Sequence, residues 1–351
     1  MNQSDSEAAP VESTAPSMPS YKDRSMGLSA FGILTIMLGC VAGLFVLLTS
    51  FQAAYGGARN TGLRFSDMLP VISAYGTIAV TLVWLGIGSI MARRWARALL
   101  LIFSWVWLIM GVAMICFMAF LMPRMLANMP AGGTDGQPGL PSGMKEVVMA
   151  VMFLFIGVFF VIVPAVWIFF YRSRHVKATC ETRDPVTRWT DACPLPVLGL
   201  CVMAMISEPM MLLMPFSGHV VMPFFGMFLT GIPGSIFWLA FAGIWFYAAW
   251  SLYKLEQRGW WLILIVLCVS MASALVTFAR HDMAEMYSLM DYPEAQMEQI
   301  QNSGMLIGNH MAWLMSLSML PFLGYLLYIK KFLRRSGDQA GPQQIPGASF
   351  Q

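Results

Sequence analysis

The sequence predicts an all-α membrane protein with eight transmembrane helices arranged as two parallel four-helix repeats. Three observations carry that expectation. Hydrophobic residues make up 58% of the 351-residue chain and charged residues only 11%, with a mean hydropathy of +0.67. An ordinary soluble domain carries roughly 25% charged residues. The apolar residues fall into eight runs of the length that crosses a bilayer, about 20 residues, and residues of like type recur at matching points of the two halves. Composition excludes a water-soluble globular fold, and a net charge of +3 is too small for a nucleic-acid binder.

The runs of the first half are Met26–Thr49, Met68–Met91, Ala98–Met122 and Val147–Tyr171. Those of the second are Val197–Phe216, Ile232–Tyr253, Trp260–Phe278 and Met305–Ile329. Each is expected to be helical, because in hydrocarbon only a helix or a closed barrel satisfies every backbone N–H and C=O. Glycine and proline interrupt the chain between Pro215 and Pro233, where a re-entrant or interfacial piece is expected. Residues 1–25, rich in Ser, Pro and Glu, and residues 336–351 read as disordered. Asp5, Glu7 and Glu12 in so long a leader argue against a cleaved signal peptide.

Basic residues orient the bundle, since they accumulate in cytoplasmic loops. With the N-terminus inside, 16 of the 21 Lys and Arg fall on the inner side; Arg59, Arg64, Arg124, Lys145 and Arg280 fall outside. Both termini are therefore expected in the cytoplasm, with residues 330–351 as a cytoplasmic tail, and a bacterial inner membrane suits the short loops. Cys40, Cys116, Cys201 and Cys268 lie within runs, and Cys180 and Cys193 in an inner loop, so no structural disulfide is expected.

The duplication rests on ordered matches. Trp95 and Trp260 stand 165 residues apart, each in a basic-aromatic turn between a second and a third helix. Met118-Ala119 matches Met283-Ala284 at the same offset, Gly32 matches Gly199 at 167, and Pro164 and Tyr171 match Pro321 and Tyr328 at 157. Four spans per half make the repeats parallel (residues 26–171 and 197–329), joined by a cytoplasmic loop over 172–196. Pro164, Pro321 and Pro209 should kink their helices, since each removes a backbone hydrogen bond.

Glu208 is the one carboxylate within a run and the first candidate for an intramembrane ionisable site. His219, His281 and His310 gather at the outer face among methionines, with Met283 and Met286 nearest to His281. Imidazole and thioether donors suit copper; otherwise no cofactor is expected. The outer loop 279–304 sets five carboxylates against Arg280, which suits a protein partner, and its Met283, Met286, Tyr287 and Met290 recur at helical spacing as an interfacial stripe. Cys180 and Cys193, with twelve residues between them and His175 nearby, lack the close spacing and four ligands of a structural zinc site and suggest a loop packed on the bundle. No Walker loop, HExxH, G-x-S-x-G or nicotinamide fingerprint occurs. The expectation is a non-catalytic membrane component (assembly, sensor or scaffold subunit) in contact with lipid. The alternatives are a transporter with a site between the repeats near Glu208, and copper handling at the outer face.

Overall fold

The computed structural model describes residues 21–56, 65–128, 142–218, 220–290 and 319–333. Among them seven helical segments are long and apolar enough to cross a membrane, so the chain is an all-α multi-pass membrane protein. In order they are α1 (Ser25–Gly56), α2 (Phe65–Ile90), α3 (Arg94–Asn128), a fourth span made of α4 (Ser142–Gly157) and α5 (Val163–Arg172), α7 (Leu195–Leu213), α8 (Gly231–Tyr253) and α9 (Gln257–Phe278). A short α6 (Arg174–Arg183) stands between α5 and α7, and α10 (Met283–Ser288) follows α9. Of the expected eighth span only α11 (Leu320–Ile329) is described; the rest of Met305–Ile329 lies outside the described residues. Phe169, Ile232 and Val80 are more than 70% exposed, an arrangement that hydrocarbon accepts and water penalises.

Lipid gives helices no hydrophobic reason to associate, so close backbone approach decides which faces meet. On α1, Gly32 and Gly39 share one face, and they meet Gly86 and Ala79 of α2. A Cβ on Gly32 would stand 2.8 Å from the Gly86 carbonyl oxygen, and one on Gly86 would stand 2.7 Å from that of Gly32. One on Gly39 would reach the Ala79 carbonyl at 3.1 Å. These are backbone atoms that cannot step aside, so the two helices are fused along a glycine seam.

The fourth span shows how proline is accommodated. Pro164 has no N–H for the carbonyl of Phe160, and the turn before it widens into a π segment, Val158–Ile162, closed by the Val163 N–H on the Val158 carbonyl. Gly111 of α3 lies against the Phe160 carbonyl with no room for a Cβ, so the bulge seats on a glycine. The α7 helix continues through Pro209 to Leu213. Pro321 falls in the first described turn of α11, where a missing N–H costs nothing; the residues before Met319 that a kink would involve lie outside the described residues.

Two helix–helix turns are built alike. Ala92 (φ 52) lies between α2 and α3, and Leu255 (φ 60) between α8 and α9. In the first, the N–H groups of Ala92 and Arg93 reach the carbonyls of Ser89 and Gly88. In the second, those of Leu255 and Glu256 reach Leu252 and Ser251. This is the left-handed capping pattern that satisfies the last carbonyls of a helix. It places the turns 163 residues apart, two fewer than the tryptophan match, so Trp95 and Trp260 stand two residues out of register.

The buried core sits at the end of the bundle that carries these turns, drawn from both halves: Leu28, Leu100, Tyr171, Leu198, Leu252 and Trp260. Its polar groups are paired. Ser89 Oγ donates to the Leu28 carbonyl (3.0 Å) and lies 2.8 Å from Tyr171 Oη, and Trp260 Nε1 donates to the Leu326 carbonyl at 2.7 Å. At the opposite end the stretch between Pro215 and Pro233 is an antiparallel hairpin, β1 (Val221–Phe224) with β2 (Met227–Thr230), pairing Phe224 with Met227. Phe225 (φ 41) and Gly226 (φ 95) make its two-residue turn, both in the positive-φ region that matches strand twist.

The expected junction loop over 172–196 is largely folded. It contains α6 and a 3-10 turn, Trp189–Asp191. The reason lies in Asp184, where α6 stops before Pro185. Its carboxylate, 2% exposed, accepts from Arg188 Nη2 at 2.7 Å and from the backbone N–H of Arg94 at 3.4 Å, and Arg93 Nη1 stands 3.7 Å away. The Arg188 guanidinium holds this carboxyl below the usual carboxylate range. One side chain thereby closes α6 and tethers it to the first turn of α3, where a negative charge also meets the positive helix end.

Candidate functional site

A cavity opens between the two halves of the chain. It is a cleft of about 540 Å3 between α2 and α3 on one side and α7 and α8 on the other. Leu85, Leu99, Ile102, Leu198, Cys201 and Val202 line its depth, and Trp84, Trp189, Trp250 and Tyr253 ring the end nearest the junction. The lining follows from spacing. Leu198, Cys201, Val202, Met205 and Ile206 recur at helical intervals along one stripe of α7. The volume falls in the range of ordinary small-ligand pockets. The aromatic rim has the composition of a membrane–water interface, apolar bodies with polar tips. Trp84 stacks on Trp95 with centroids 4.1 Å apart, and Tyr253 Oη donates to the Trp189 carbonyl at 3.1 Å, so the rim is fixed from both halves.

Below the rim lies a second cavity of about 350 Å3, the polar counterpart of the first. The same elements build both. On α3, Arg97 and Ala98 line the polar basin and Leu99 and Ile102 the cleft; in the junction, Thr190 and Asp191 line the basin and Trp189 the cleft; on α7, Leu195 faces the basin and Leu198 the cleft. Three cations, Arg94, Arg97 and Lys177, meet two carboxylates, Glu181 and Asp191, in the basin. Arg94 pairs with Glu181 (3.7 Å) and Asp191 (3.5 Å), and Lys177 with Glu181 (3.8 Å). Arg97 pairs with neither. Its Nε donates to the Tyr171 carbonyl at 3.1 Å, and its two terminal nitrogens have no partner among the described residues. Thr190, 3% exposed, has a hydroxyl with no hydrogen-bond partner among the described residues. A buried polar atom left in that state costs about 1–3 kcal/mol, and it belongs to the same charged basin as the unpaired guanidinium nitrogens of Arg97.

Cys180 and Cys193 also line the basin, and both are free. Burial pushes each thiol up to about 11, so both stay protonated at neutral pH. A thiol in that state is neither a good nucleophile nor a ready metal ligand. His175 lies elsewhere in the junction, its Nδ1 accepting from the Lys22 backbone N–H at 3.4 Å. The two cysteines are therefore inert lining of a packed junction.

Glu208 sits on α7 farther from the junction, 7% exposed, with Oε1 unpartnered among the described residues. It is not among the residues lining the cleft. His281 is a structural clasp. Its Nε2 lies 3.0 Å from the Gly226 carbonyl at the hairpin tip and its Nδ1 lies 2.9 Å from Glu285. Both ring nitrogens are thus committed, and the described residues hold no cluster of three or more His, Cys, Asp or Glu that suits a metal. Two neighbours complete the clasp: Thr277 Oγ1 and Ser273 Oγ accept from the hairpin N–H groups of Gly226 and Phe225, each at 3.0 Å. His219 and His310 lie outside the described residues.

The stripe expected at helical spacing falls on and just after α10, with Met283 buried, Met286, Tyr287 and Met290 half-buried, and Asp282 and Glu285 exposed. The remainder of the 279–304 loop, from Asp291, lies outside the described residues.

Sequence reasoning singled out Glu208 and the histidines and passed over Arg97 and Thr190. Arg97 was visible only as one of three arginines in a basic turn. Its separation from the carboxylates depends on α6 folding back over α3, which no local pattern announces. No family model matches the chain, and no curated protein or solved structure is significantly similar to it.

Proposed function

We propose that the protein is a non-catalytic component of a bacterial inner membrane that holds the apolar chain of a membrane amphiphile in the cleft between its halves. The single observation that carries this reading is the cleft itself: apolar, of ligand size, and rimmed by aromatic residues of the kind that gather where a bilayer's polar and apolar parts divide. A cavity so apolar stays dry, so hydrocarbon is its natural occupant. The arrangement proposed has eight spans in two parallel repeats, with α11 as the end of the eighth. The two alike turns at Ala92 and Leu255 support the repeat. The concentration of arginine and lysine on the junction side supports a cytoplasmic basin and cytoplasmic termini.

The test is lipid retention, read by native mass spectrometry of the full chain released from nanodiscs. Val202, half-buried on the cleft wall at the edge of the core, offers a position to fill the space. Wild-type protein should retain lipid adducts and Val202→Trp should lose them while unfolding at the wild-type temperature. Equal retention by both would dismiss the cleft as the site.

A second reading, transport, is favoured by one observation: the unpartnered buried oxygen of Glu208, since ionisable groups within a membrane mark ion and proton pathways. In proteoliposomes under a pH step, Glu208→Gln should abolish proton-coupled flux. Normal flux in that variant would end the reading.

A further inference from the structure

The cleft alone explains occupancy but not selection. Lipid tails are as apolar as leucine, so a chain gains little by leaving the bilayer for an apolar wall. Any preference for one amphiphile over another must come from polar contacts at the rim, and the basin is the polar surface that adjoins it. Its chemistry is specific. Arg97 is held in place through Nε by the Tyr171 carbonyl, which aims the fork of its two terminal nitrogens without neutralising them. Thr190 lines the same cavity, and its buried hydroxyl has no partner among the described residues. The carboxylates that could satisfy Arg97, Glu181 and Asp191, are engaged by Arg94 and Lys177. With three cations against two carboxylates, the basin is one negative charge short of balance.

A planar guanidinium fork and a hydroxyl donor that line one cavity suit a tetrahedral oxyanion, which accepts two parallel N–H bonds and a third from O–H. We infer that the basin takes the phosphate of an anionic amphiphile, with Arg97 and Thr190 as its binding residues and the chain of the same molecule in the cleft. This rests on the cleft reading for the chain and on the basin alone for the phosphate, so the two can fail separately. Lys177, 57% exposed at the outer edge, supplies long-range attraction, and Arg94, tied to both carboxylates, fixes the wall.

The experiment uses the full chain in nanodiscs of equal parts phosphatidylglycerol and a phosphate-free glucosyl-diacylglycerol with the same acyl chains. Lipid adducts are counted by native mass spectrometry, and a parallel sample in detergent is titrated with inorganic phosphate while its unfolding temperature is followed. Wild-type protein should retain phosphatidylglycerol about tenfold over the glycolipid, the size of effect expected of charge-assisted hydrogen bonds. Arg97→Gln should erase the preference, and Arg97→Lys should restore part of it. Thr190→Val, which keeps the shape and removes an orphaned hydroxyl, should fold at least as stably as wild type and weaken the preference several-fold. It carries the test if Arg97→Gln fails to fold.

Retention of both lipids without preference, lost only in Val202→Trp, would overturn the headgroup inference and leave the cleft reading standing. A preference that survives both Arg97→Gln and Thr190→Val would overturn it equally, since the headgroup would then be read elsewhere. If no lipid is retained but inorganic phosphate raises the unfolding temperature of wild type and not of Arg97→Gln, the phosphate site holds for a soluble anion and the cleft reading falls. Absence of both lipid retention and a phosphate shift overturns both.

Discussion

Helix α2 has two flanks, and they are built on opposite principles. Towards α1 it is sealed. Gly32, Gly39 and Gly86 bring two backbones together until there is no room for a methyl group. Towards α7 it meets the helix and the 3-10 turn Met214–Ser217 near the hairpin end, then parts from it to leave a cleft walled by Trp84, Leu85, Leu198 and Val202. Both flanks are apolar, so hydrophobicity does not separate them. What separates them is side-chain size. In a bilayer, helices close where small residues let main chains touch, and large side chains facing each other leave space that hydrocarbon can enter. The cleft is therefore a departure from close packing, with the junction at one end and the contact of α2 with Met214–Ser217 towards the other.

The sharpest way to break the comparison is to put a side chain into the seam. Gly86→Val adds a branched group 2.7 Å from a backbone oxygen, an overpacking that costs about 3 kcal/mol. It should lower the unfolding midpoint in an SDS titration accordingly. Gly243 on α8 is the control: no atom lies within 4 Å of a Cβ there, and Gly243→Ala should hold or raise stability by up to about 1 kcal/mol through helix propensity. If the two variants behave alike, the seam is not a backbone contact and the contrast between the flanks collapses.

A smaller effect tests the junction end of the cleft. Asp184 pins α6 to α3 beside the basin, and Asp184→Asn keeps the shape while removing the charge that Arg188 and Arg93 face. A loss of about 1–2 kcal/mol is expected, with weaker lipid retention as the junction loosens. The pH dependence has a definite sign. The folded-state pKa is lowered from 3.8, so the stabilisation is complete above that value and is lost as pH falls through the folded pKa. Acid titration of wild type should show this loss below about pH 4, and Asp184→Asn should lack it. Wild-type and variant curves that run parallel would remove Asp184 from the account.

Much of this architecture was legible in the sequence, because a spanning helix announces itself by length and composition alone. The first seven runs correspond to helices, and the methionine stripe at Met283 and Met286 lies on the buried side of α10 as its spacing implied. The site was much less legible. Residues 172–196 read as a polar loop because α6 is short, polar and stabilised almost wholly by tertiary pairing: Asp184 with Arg188 and Arg94, and Thr179 Oγ1 accepting from the Arg24 backbone N–H. The hairpin was hidden for a related reason. Phe225-Gly226 is a poor match to the Asn-Gly or Asp-Gly turns that mark hairpins, and its strands are steadied by Ser273, Thr277 and His281, about fifty residues on. Histidine beside methionine suggested copper from composition; at His281 the ring meets the Glu285 carboxylate four residues on and the Gly226 carbonyl, a partner that only the fold brings near.

The smallest effect concerns the closed end. His281 donates to the Gly226 carbonyl while Glu285 holds its other nitrogen, and the hydrogen bond to Glu285, then that to Gly226, raises its pKa above the ordinary 6.5. A raised folded-state pKa means the clasp is fully made below 6.5 and weakens as pH climbs through the folded value. The clasp is partly exposed to solvent, so the change is local: protection of the Phe225 and Gly226 amides from hydrogen exchange, corrected for intrinsic rates, should be constant below pH 6.5 and decline as pH rises above it. His281→Gln, which can still donate to Gly226 but carries no titratable charge, should show a flat profile. Because the hairpin sits at the end where α2 and the α7 segment touch, its loosening should leave lipid retention in the cleft unchanged. A parallel loss of retained lipid would mean that the closed end, and not side-chain size along α2, sets the width of the cleft.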